Sequence, residues 1–221
     1  MYDIYMKAIY HYNLDFFNKD TEELYYFLGF IASDGYVNDE YVSLALNEKD
    51  KEILDKFTNI ICPDKPLRYK ESTKSYELKI SNKKLAQKTK TFFRMKTNKK
   101  CLEIEFPYIP NSFLKDFIRG YVDGDGCIDF TLAKKGEKRY KGARLRILGN
   151  ESFLYELNNA TKDFYQHKTN AIRKKGKENV YEVTYNFKTA KNILKSLYEN
   201  NTISLERKNL KAQDIINEEI V

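Results

Sequence analysis

Two aspartates occupy equivalent places in a segment that occurs twice along the chain. The first copy is FLGFIASDG (Phe27 to Gly35) and the second is IRGYVDGDG (Ile118 to Gly126), and Asp34 aligns with Asp125 at an offset of 91 residues. A fixed offset near half of the 221-residue chain indicates two copies of one structural unit. A single Asp-Gly usually marks only a turn or the end of a helix, whereas two copies in matching contexts favour a shared chemical role.

Small residues stand four positions apart in both copies. The pairs are Gly29 with Ser33 and Gly120 with Gly124, and residues at i and i+4 lie on one face of a helix. A glycine inside a helix costs roughly 0.5–1 kcal/mol relative to alanine, which favours a packing reason for its presence. Because small residues let two helix backbones approach closely, we expect the two helices to pack in parallel with their C-terminal ends together.

Such packing would place Asp34 beside Asp125, and the two charges would then need compensation. Two carboxylates about 4 Å apart repel each other by roughly 4 kcal/mol at an effective dielectric constant of about 20. Each also faces the negative end of its helix dipole. Mg²⁺ is the expected counter-ion, because it is a hard cation that binds a few carboxylates and keeps several waters. Carboxylates that share metal ions can stabilise the attacking and leaving oxygens of a phosphodiester.

The elements around the two aspartates repeat as well. Alternating, strand-like segments follow each helix in YVSLAL (Tyr41 to Leu46) and ARLRIL (Ala143 to Leu148), and further strands are predicted in SYELKIS and VYEVTYNF. Each half therefore reads helix, two strands, helix, two strands, helix, which is an α+β fold of two αββαββα halves. We expect an N-terminal extension at residues 1–19, a first half at 20–108 and a second half at 109–221.

Local signals predict where several helices begin and end. Asp20, with an acidic residue three positions later, predicts a capping box before the first repeated helix. Asp50 and Asn150 are predicted to cap the helix in the middle of each half. Gly35 and Gly126 stand where a left-handed residue would end each repeated helix.

Composition limits the classes of protein to which this chain can belong. Hydrophobic residues make up 42% and charged residues 32% of the chain, as in folded domains. No apolar run approaches the roughly 18 residues of a membrane span, and no signal peptide is recognisable, so we expect a soluble intracellular or organellar protein with no membrane partner. The three cysteines are far apart and only two histidines occur, which argues against a disulfide framework, a zinc site or a histidine-ligated hydrolase.

Basic charge is concentrated in the second half. Residues 127–180 contain 13 Lys and Arg against 6 Asp and Glu, an excess equal to the net charge of +7 of the whole chain. A local basic surface of this kind indicates a nucleic-acid partner.

The two repeated segments resemble the signature of the LAGLIDADG homing endonucleases in their single-chain, two-motif form. The similarity covers nearly the whole chain after about residue 20, because the order of helices and strands matches as well as the motifs. The resemblance implies two halves related by pseudo-twofold symmetry, with antiparallel strands forming a saddle over double-stranded DNA. It also implies Mg²⁺-dependent cleavage of both strands at a long site, with Asp34 and Asp125 as the metal-binding acidic residues.

The chain departs from this pattern in two places. The sixth motif position is Ala32 in the first copy and Asp123 in the second, but that position is not the metal ligand in the family. Family members often place a lysine just before the cap of the middle helix, and Lys49 matches that catalytic role. Its counterpart in the second half is Gly149, so the accessory group is expected to be asymmetric.

Within this fold, strand alternation and charge predict which side chains face DNA. Arginine recognises guanine in the major groove, and asparagine recognises adenine. The outward strand residues predicted to contact DNA are Tyr41, Ser43, Glu77, Lys79, Arg144, Arg146, Thr184 and Asn186. Phosphate contacts, which position the protein without specifying sequence, are expected from Lys134, Lys135, Lys138 and Arg139 in the long second hairpin and from Arg173 and Lys175.

Two other functions fit the same sequence. An RNA-binding maturase that helps intron RNA to fold, or a regulator that binds DNA without cutting it, would use a similar basic surface. The presence of both acidic residues favours cleavage, because a protein that only binds gains nothing from two adjacent carboxylates. A monomer is expected, since both copies of the motif are in one chain.

If the basic clusters contact phosphates, DNA binding should depend steeply on salt. The log–log slope of affinity against salt should be about −0.9 for each phosphate neutralised on duplex DNA. Fluorescence anisotropy of a labelled duplex over a range of salt concentrations measures this slope. A flat profile would argue against both clusters.

Overall fold

The computed structural model describes residues 10–97, 104–135, 137–176 and 179–218, with the backbone alone for 133–135 and 138–140. The first half contains α1 (Glu22–Asp34), β1 (Gly35–Val37), β2 (Val42–Asn47), α2 (Lys51–Ile61), β3 (Arg68–Lys70), β4 (Ser75–Ile80) and α3 (Lys83–Phe92). The second half contains α4 (Asn111–Asp125), β5 (Gly126–Lys135), β6 (Lys138–Gly149), α5 (Glu151–Tyr165), β7 (Ile172–Lys175), β8 (Val180–Asn186), α6 (Phe187–Tyr198) and α7 (Glu206–Asn217). The predicted α+β order is confirmed in both halves, and α7 is an addition that the repeat did not predict.

Each half has one four-stranded antiparallel sheet. The strand orders are β1-β2-β4-β3 and β5-β6-β8-β7, so the two sheets have the same topology. One face of each sheet is apolar and buried, as Leu44 and Leu78 show in the first half and Leu145 and Val183 in the second. Because β1 and β5 follow directly after Asp34 and Asp125, both sheets begin next to the aspartates.

The helices α1 and α4 cross at their glycines. A Cβ atom added to Gly29 would overlap with the carbonyl oxygen of Phe117 and lie 2.9 Å from the backbone nitrogen of Tyr121. Reciprocally, a Cβ atom added to Gly120 would overlap with the carbonyl oxygen of Tyr26. Each glycine therefore abuts the residue three positions before the other glycine, which is the contact expected of two helices related by a pseudo-twofold axis. The predicted close approach is confirmed.

The glycines that end the two helices differ from the prediction. The φ angles of Gly35 and Gly126 are −69° and −84° with extended ψ, so neither residue is left-handed. The chain continues straight into a strand at both places, and a left-handed residue would turn it away. Glycine is nevertheless required, because an added Cβ would lie 2.6 Å from the carbonyl oxygen of Ile31 or 2.5 Å from that of Val122.

Two of the three predicted side-chain caps also differ. Thr21, not Asp20, caps α1, and its hydroxyl accepts a hydrogen bond from the backbone nitrogen of Leu24 at 3.2 Å. The carboxylate of Asp20 instead accepts a hydrogen bond from the Tyr25 hydroxyl. Asn150 caps α5 as predicted.

Asp50, at the start of α2, makes no capping hydrogen bond because its carboxylate binds the other half of the molecule. Both of its oxygens accept hydrogen bonds from Arg207 of α7, at 2.6 and 2.9 Å. Next to this pair, the backbone nitrogen of Glu206 donates to Glu52, and Lys56 donates to the carbonyl oxygen of Ser204. The start of α7 therefore ties the second half to α2 of the first.

Residues 10–18 pack against the first half. The backbone nitrogen of Asn13 donates to the carbonyl oxygen of Ile61 at 2.8 Å, and the Tyr12 hydroxyl accepts a hydrogen bond from the backbone nitrogen of Ser81. Phe16 and Phe17 are buried with their ring edges against Phe27. In the described part of the chain, no helix combines the length and apolar character that crossing a membrane requires.

Replacing Gly120 with alanine should force α1 and α4 apart. Overpacking a core typically costs about 1–3 kcal/mol, and here the added atom meets rigid backbone. We expect the free energy of unfolding to fall by at least that amount and the melting temperature by several degrees, measured by urea and thermal denaturation. Ser112→Ala, on the exposed first turn of the same helix, is the control and should change little. Equal stability of the two variants would contradict the close crossing.

Candidate active site

Asp34 and Asp125 lie next to each other at the C-terminal ends of the crossed helices. A Cβ atom added to Gly124, the residue before Asp125, would collide with both the side chain of Ser33 and the carboxylate of Asp34. Burial raises the pKa of the Tyr121 phenol well above its usual range, and the charges of Asp125 and Asp34 raise it further. The Asp34 carboxylate therefore lies against the residue that precedes Asp125, in the arrangement that the small-residue pattern predicts.

A buried lysine from α7 lies beneath the two aspartates. The ammonium group of Lys208 donates hydrogen bonds to the carbonyl oxygens of Val122, Gly124 and Gly126 at 2.7, 2.9 and 2.8 Å. The carbonyls of Val122 and Gly124 belong to the last turn of α4, where backbone acceptors lack partners within the helix, and that of Gly126 belongs to the start of β5. Burial lowers the pKa of Lys208 to about 8, and the negative charges of the nearby aspartates act in the opposite direction.

Sequence reasoning missed Lys208 because it lies on the helix outside the repeat. A lysine in a polar C-terminal segment looks like an ordinary surface residue, and only the packing of α7 against α6 and β5 buries it. A buried lysine close to two carboxylates is typical of functional sites, so Lys208 joins the candidate residues.

Asp123, at the sixth position of the second motif, faces the interior. It accepts hydrogen bonds from the hydroxyls of Tyr26 and Tyr198, both at 2.6 Å, and from the backbone nitrogen of Leu205 at 2.8 Å. Burial raises the pKa of its carboxyl group. Its contacts link α1, α4, α6 and the start of α7.

Lys49 lies on the surface, in a 3-10 turn between β2 and α2. Its backbone nitrogen donates to the side chain of Asn47 at 3.2 Å, and the neighbouring Asp50 is held by Arg207. Among the residues that the structure describes, Lys49 forms no ion pair. The structure thus fixes the turn that carries Lys49, while its catalytic role stays a prediction.

The donor set at the helix ends suits a hydrated hard cation. Asp34 is exposed and Asp125 is half-buried, so both carboxylates are accessible from the outside. Nowhere in the described ranges do three or more His, Cys, Asp or Glu residues cluster as a metal cage. Mg²⁺ commonly binds through one or two carboxylates and completes its shell with water and substrate oxygens, whereas a structural zinc site needs four protein ligands.

The outward face of the second sheet carries the predicted polar residues together. They line a shallow depression of about 510 Å³, formed by Arg144, Arg146, Arg173, Lys175, Thr184 and Asn186 together with Asn170, Ala171 and Glu182. Lys134, Lys135, Lys138 and Arg139 belong to the β5–β6 hairpin by backbone pairing, but their side chains lie outside the described residues.

Asp129, which the sequence did not single out, holds two of these arginines. Its carboxylate accepts hydrogen bonds from Nε and Nη2 of Arg144 at 2.7 and 2.8 Å and from Nη2 of Arg146 at 2.8 Å. The bonds from Arg144 hold the pKa of Asp129 below its usual value. Asp129 alternates with the buried Ile128 on β5, and this alternation could have indicated an outward side chain. Its pairing with Arg144 depends on the register of the two strands.

The outward face of the first sheet is different in character. Glu77, Lys79 and Tyr41 are half-buried, and the Lys79 ammonium group lies 3.7 Å from the centroid of the Tyr41 ring. Ser43 is only 5% exposed, which contradicts its predicted surface position. It faces the expected side but stands between Tyr36 and Lys79 in the strand register, and these larger side chains flank its hydroxyl.

The sequence did not predict that β3 continues this surface. Arg68, Tyr69 and Lys70 are all exposed on this outer strand, and Arg68 pairs with Glu77 in register. Three residues are too few to show a clear alternation, so the sequence offered little signal for this strand.

No family model and no curated protein matches this chain. Solved structures do match. The crystal structure of the I-LtrWI LAGLIDADG homing endonuclease bound to target DNA has a TM-score of 0.60 with 15% identity, over 93% of this chain and 91% of that chain.

Two further structures agree. The LAGLIDADG meganuclease I-AabMI bound to uncleaved DNA has a TM-score of 0.58 with 13% identity, over 86% of this chain and 88% of that chain. I-SmaMI, bound to an uncleaved DNA target in the presence of calcium ions, has a TM-score of 0.56 with 12% identity, over 89% of this chain and 92% of that chain. The similarity spans both halves, so this chain has the two-domain fold of the single-chain LAGLIDADG homing endonucleases.

Proposed function

We propose that this protein is a site-specific endonuclease that hydrolyses both strands of a long double-stranded DNA target and requires Mg²⁺. The observation that carries the proposal is the pair Asp34 and Asp125, brought together at the ends of two helices with Lys208 beneath them. Two sheets with polar outward faces begin directly after these two residues. DNA-bound structures of the same fold support the choice of substrate.

The proposed metal ligands are Asp34 and Asp125. A bound Mg²⁺ would neutralise their repulsion and stabilise the charge that develops on a scissile phosphate. Lys208 holds carbonyl groups in the last turn of α4 and at the start of β5 in place, and its positive charge lowers the cost of bringing the two carboxylates together. Lys49 is proposed to reach the phosphate or the attacking water from the turn that precedes α2.

Symmetry supports cleavage of both strands. The reciprocal contacts of Gly29 and Gly120 relate the two halves by a pseudo-twofold axis, and the strands of duplex DNA are related by a similar axis. Each half therefore presents one aspartate to one strand and one sheet to one half of the target. Because both halves belong to one chain, we propose that the protein acts as a monomer.

The bound cation should be detectable without any nuclease assay. We expect Mg²⁺ at about ten times its dissociation constant to add about 1.4 kcal/mol of stability, which raises the melting temperature by a few degrees. Asp34→Asn and Asp125→Asn should each reduce this stabilisation, whereas Asp163→Asn, on the exposed face of α5, should retain it. Thermal unfolding in Mg²⁺ and in EDTA measures the effect, and equal Mg²⁺ stabilisation of all four proteins would place the cation elsewhere.

Cleavage should depend on the same residues. A library of randomised duplexes incubated with Mg²⁺ should yield double-strand breaks at one long site, and sequencing of the ends would identify it. Asp34→Asn and Asp125→Asn should abolish the breaks. Lys208→Met should slow cleavage at least tenfold, equivalent to about 1.4 kcal/mol in the barrier, while Lys211→Met on the exposed side of α7 should cleave normally.

Measurements of duplex binding and of intron splicing, made beside the cleavage assay, separate the alternatives. Specific binding to one duplex with no cleavage in any divalent cation would overturn the endonuclease and favour a regulator. Absence of duplex specificity combined with acceleration of intron splicing would favour the RNA-binding maturase.

A further inference from the structure

Two rows of side chains cross the outward face of the second sheet. In the strand register, Asp129 of β5 stands opposite Arg144 of β6, which stands opposite Asn186 of β8. In the next row, Arg146 stands between Cys127 and Thr184. Asp129 is the carboxylate that connects these rows, because it binds the arginines of both.

The hydrogen bonds leave a defined edge of Arg144 available. The Asp129 carboxylate accepts hydrogen bonds from Nε of Arg144 and from one hydrogen of its Nη2. A guanidinium group carries five N–H donors in a rigid plane, so Nη1 and the second hydrogen of Nη2 form an outer edge that points away from the carboxylate. Arg146 is held more loosely, through Nη2 to Asp129 and to the sulfur of Cys127 at 3.1 Å.

Both arginine side chains are about one-third exposed, at 33% for Arg144 and 30% for Arg146. They are therefore ordered by the protein and still accessible to a ligand. An arginine that is already held in one orientation loses less conformational freedom when it binds. The shared carboxylate also reduces the net charge of the three groups to +1, which weakens attraction to DNA of unrelated sequence.

We propose that Asp129 is a positioning residue that orients Arg144 and Arg146 to recognise two guanines in the major groove of the DNA. This inference rests on the proposed DNA-binding function. The outer edge of Arg144 matches the O6 and N7 acceptors of guanine, whereas Arg146, whose two Nη2 hydrogens are already bound, offers Nη1 to a single acceptor of a second guanine. Nη2 of both arginines lies 2.8 Å from the same Oδ2 atom of Asp129, so the two guanidinium groups are close together. Because base pairs are about 3.4 Å apart, the two guanines lie about one or two base pairs apart.

The guanine preference belongs to one half-site, which is the half of the DNA target that contacts one of the two sheets. The first half has Tyr41 and Ser43 at the positions that correspond to Arg144 and Arg146 in the register of the first hairpin. Neither residue is an arginine, and Ser43 is buried. The target is therefore asymmetric, with the paired guanines in the half-site that contacts the second sheet.

The DNA experiment compares full-length wild type with Asp129→Ala and Asp129→Asn. The affinity is measured for the target duplex that the randomised library yields and for versions of this duplex substituted at each guanine. Asp129→Ala should reduce the ratio of target to substituted affinity about 2- to 10-fold at both positions, because the cost of ordering each arginine returns to the binding step. Binding to unrelated duplex should tighten, and the salt slope should steepen by up to about 0.9. Asp163→Ala removes one negative charge from an exposed site on α5 and should keep the target ratio.

A double-mutant cycle isolates the effect of Asp129 on the arginines. In a protein that already carries Arg144→Ala and Arg146→Ala, Asp129→Ala should no longer change the discrimination between targets, because coupled residues are not additive. A loss of discrimination that persists without the arginines would assign Asp129 a general structural role and overturn the proposal.

A second readout needs no DNA. In wild type, the ¹⁵Nε–Hε signals of Arg144 and Arg146, assigned by their loss in Arg144→Lys and Arg146→Lys, should show restricted motion. They should become mobile in Asp129→Ala and remain restricted in Asp163→Ala, with thermal unfolding as the check that each variant folds. Unchanged order in Asp129→Ala would overturn the positioning role even if the protein cuts DNA as proposed.

The two readouts also separate this inference from the proposed function. A selected target without guanines about one or two base pairs apart would overturn the guanine recognition and leave the endonuclease intact. Absence of any specific DNA binding by the wild-type protein would overturn the proposed function and guanine recognition together, while restricted arginines that Asp129→Ala releases would still support the positioning role.

Discussion

The close crossing of α1 and α4 is the contact on which the rest of the structure depends. At Gly29 and Gly120 the backbone of each helix lies where the other residue's Cβ would be. Only glycine permits so short a distance between the two helix backbones. This distance sets how near the C-terminal ends of the helices come to each other. The two sheets follow those ends directly, so the same contact fixes the positions of the aspartates and the starting points of both sheets.

Bringing two carboxylates together at negative helix ends is unfavourable, and the fold compensates for it with α7. Lys208 places a positive charge against the end of α4, and the adjacent Arg207 binds Asp50 across the boundary between the halves. Asp123 adds hydrogen bonds from α1, α6 and the start of α7. A single segment outside the repeat therefore both supports the candidate site and holds the two halves in register.

The two halves share a topology but differ in their outward faces. The second sheet has a long hairpin, and its arginines are ordered by a carboxylate on the neighbouring strand. The first sheet has a shorter hairpin, in which aromatic and lysine side chains surround a buried serine. Pseudo-symmetry thus applies to the backbone and to the aspartates, whereas the surfaces that would contact a target are unequal. Unequal surfaces suit an asymmetric DNA site.

Short-range periodicity in the sequence was sufficient to predict the αββαββα order, the parallel helix pair and the proximity of Asp34 and Asp125. Alternation and i, i+4 spacing are properties of neighbouring residues, and they survive in one chain without any knowledge of its partners. Three features depended on the elements that the chain contacts in the folded protein. They are the cap at Thr21, the extended conformation of Gly35 and Gly126, and the burial of Ser43. Asp129 and Lys208 acquired their candidate roles only from residues on other strands and helices. Tertiary packing alone decided those features, because burial, register and ion pairing are set by residues that lie far apart in sequence.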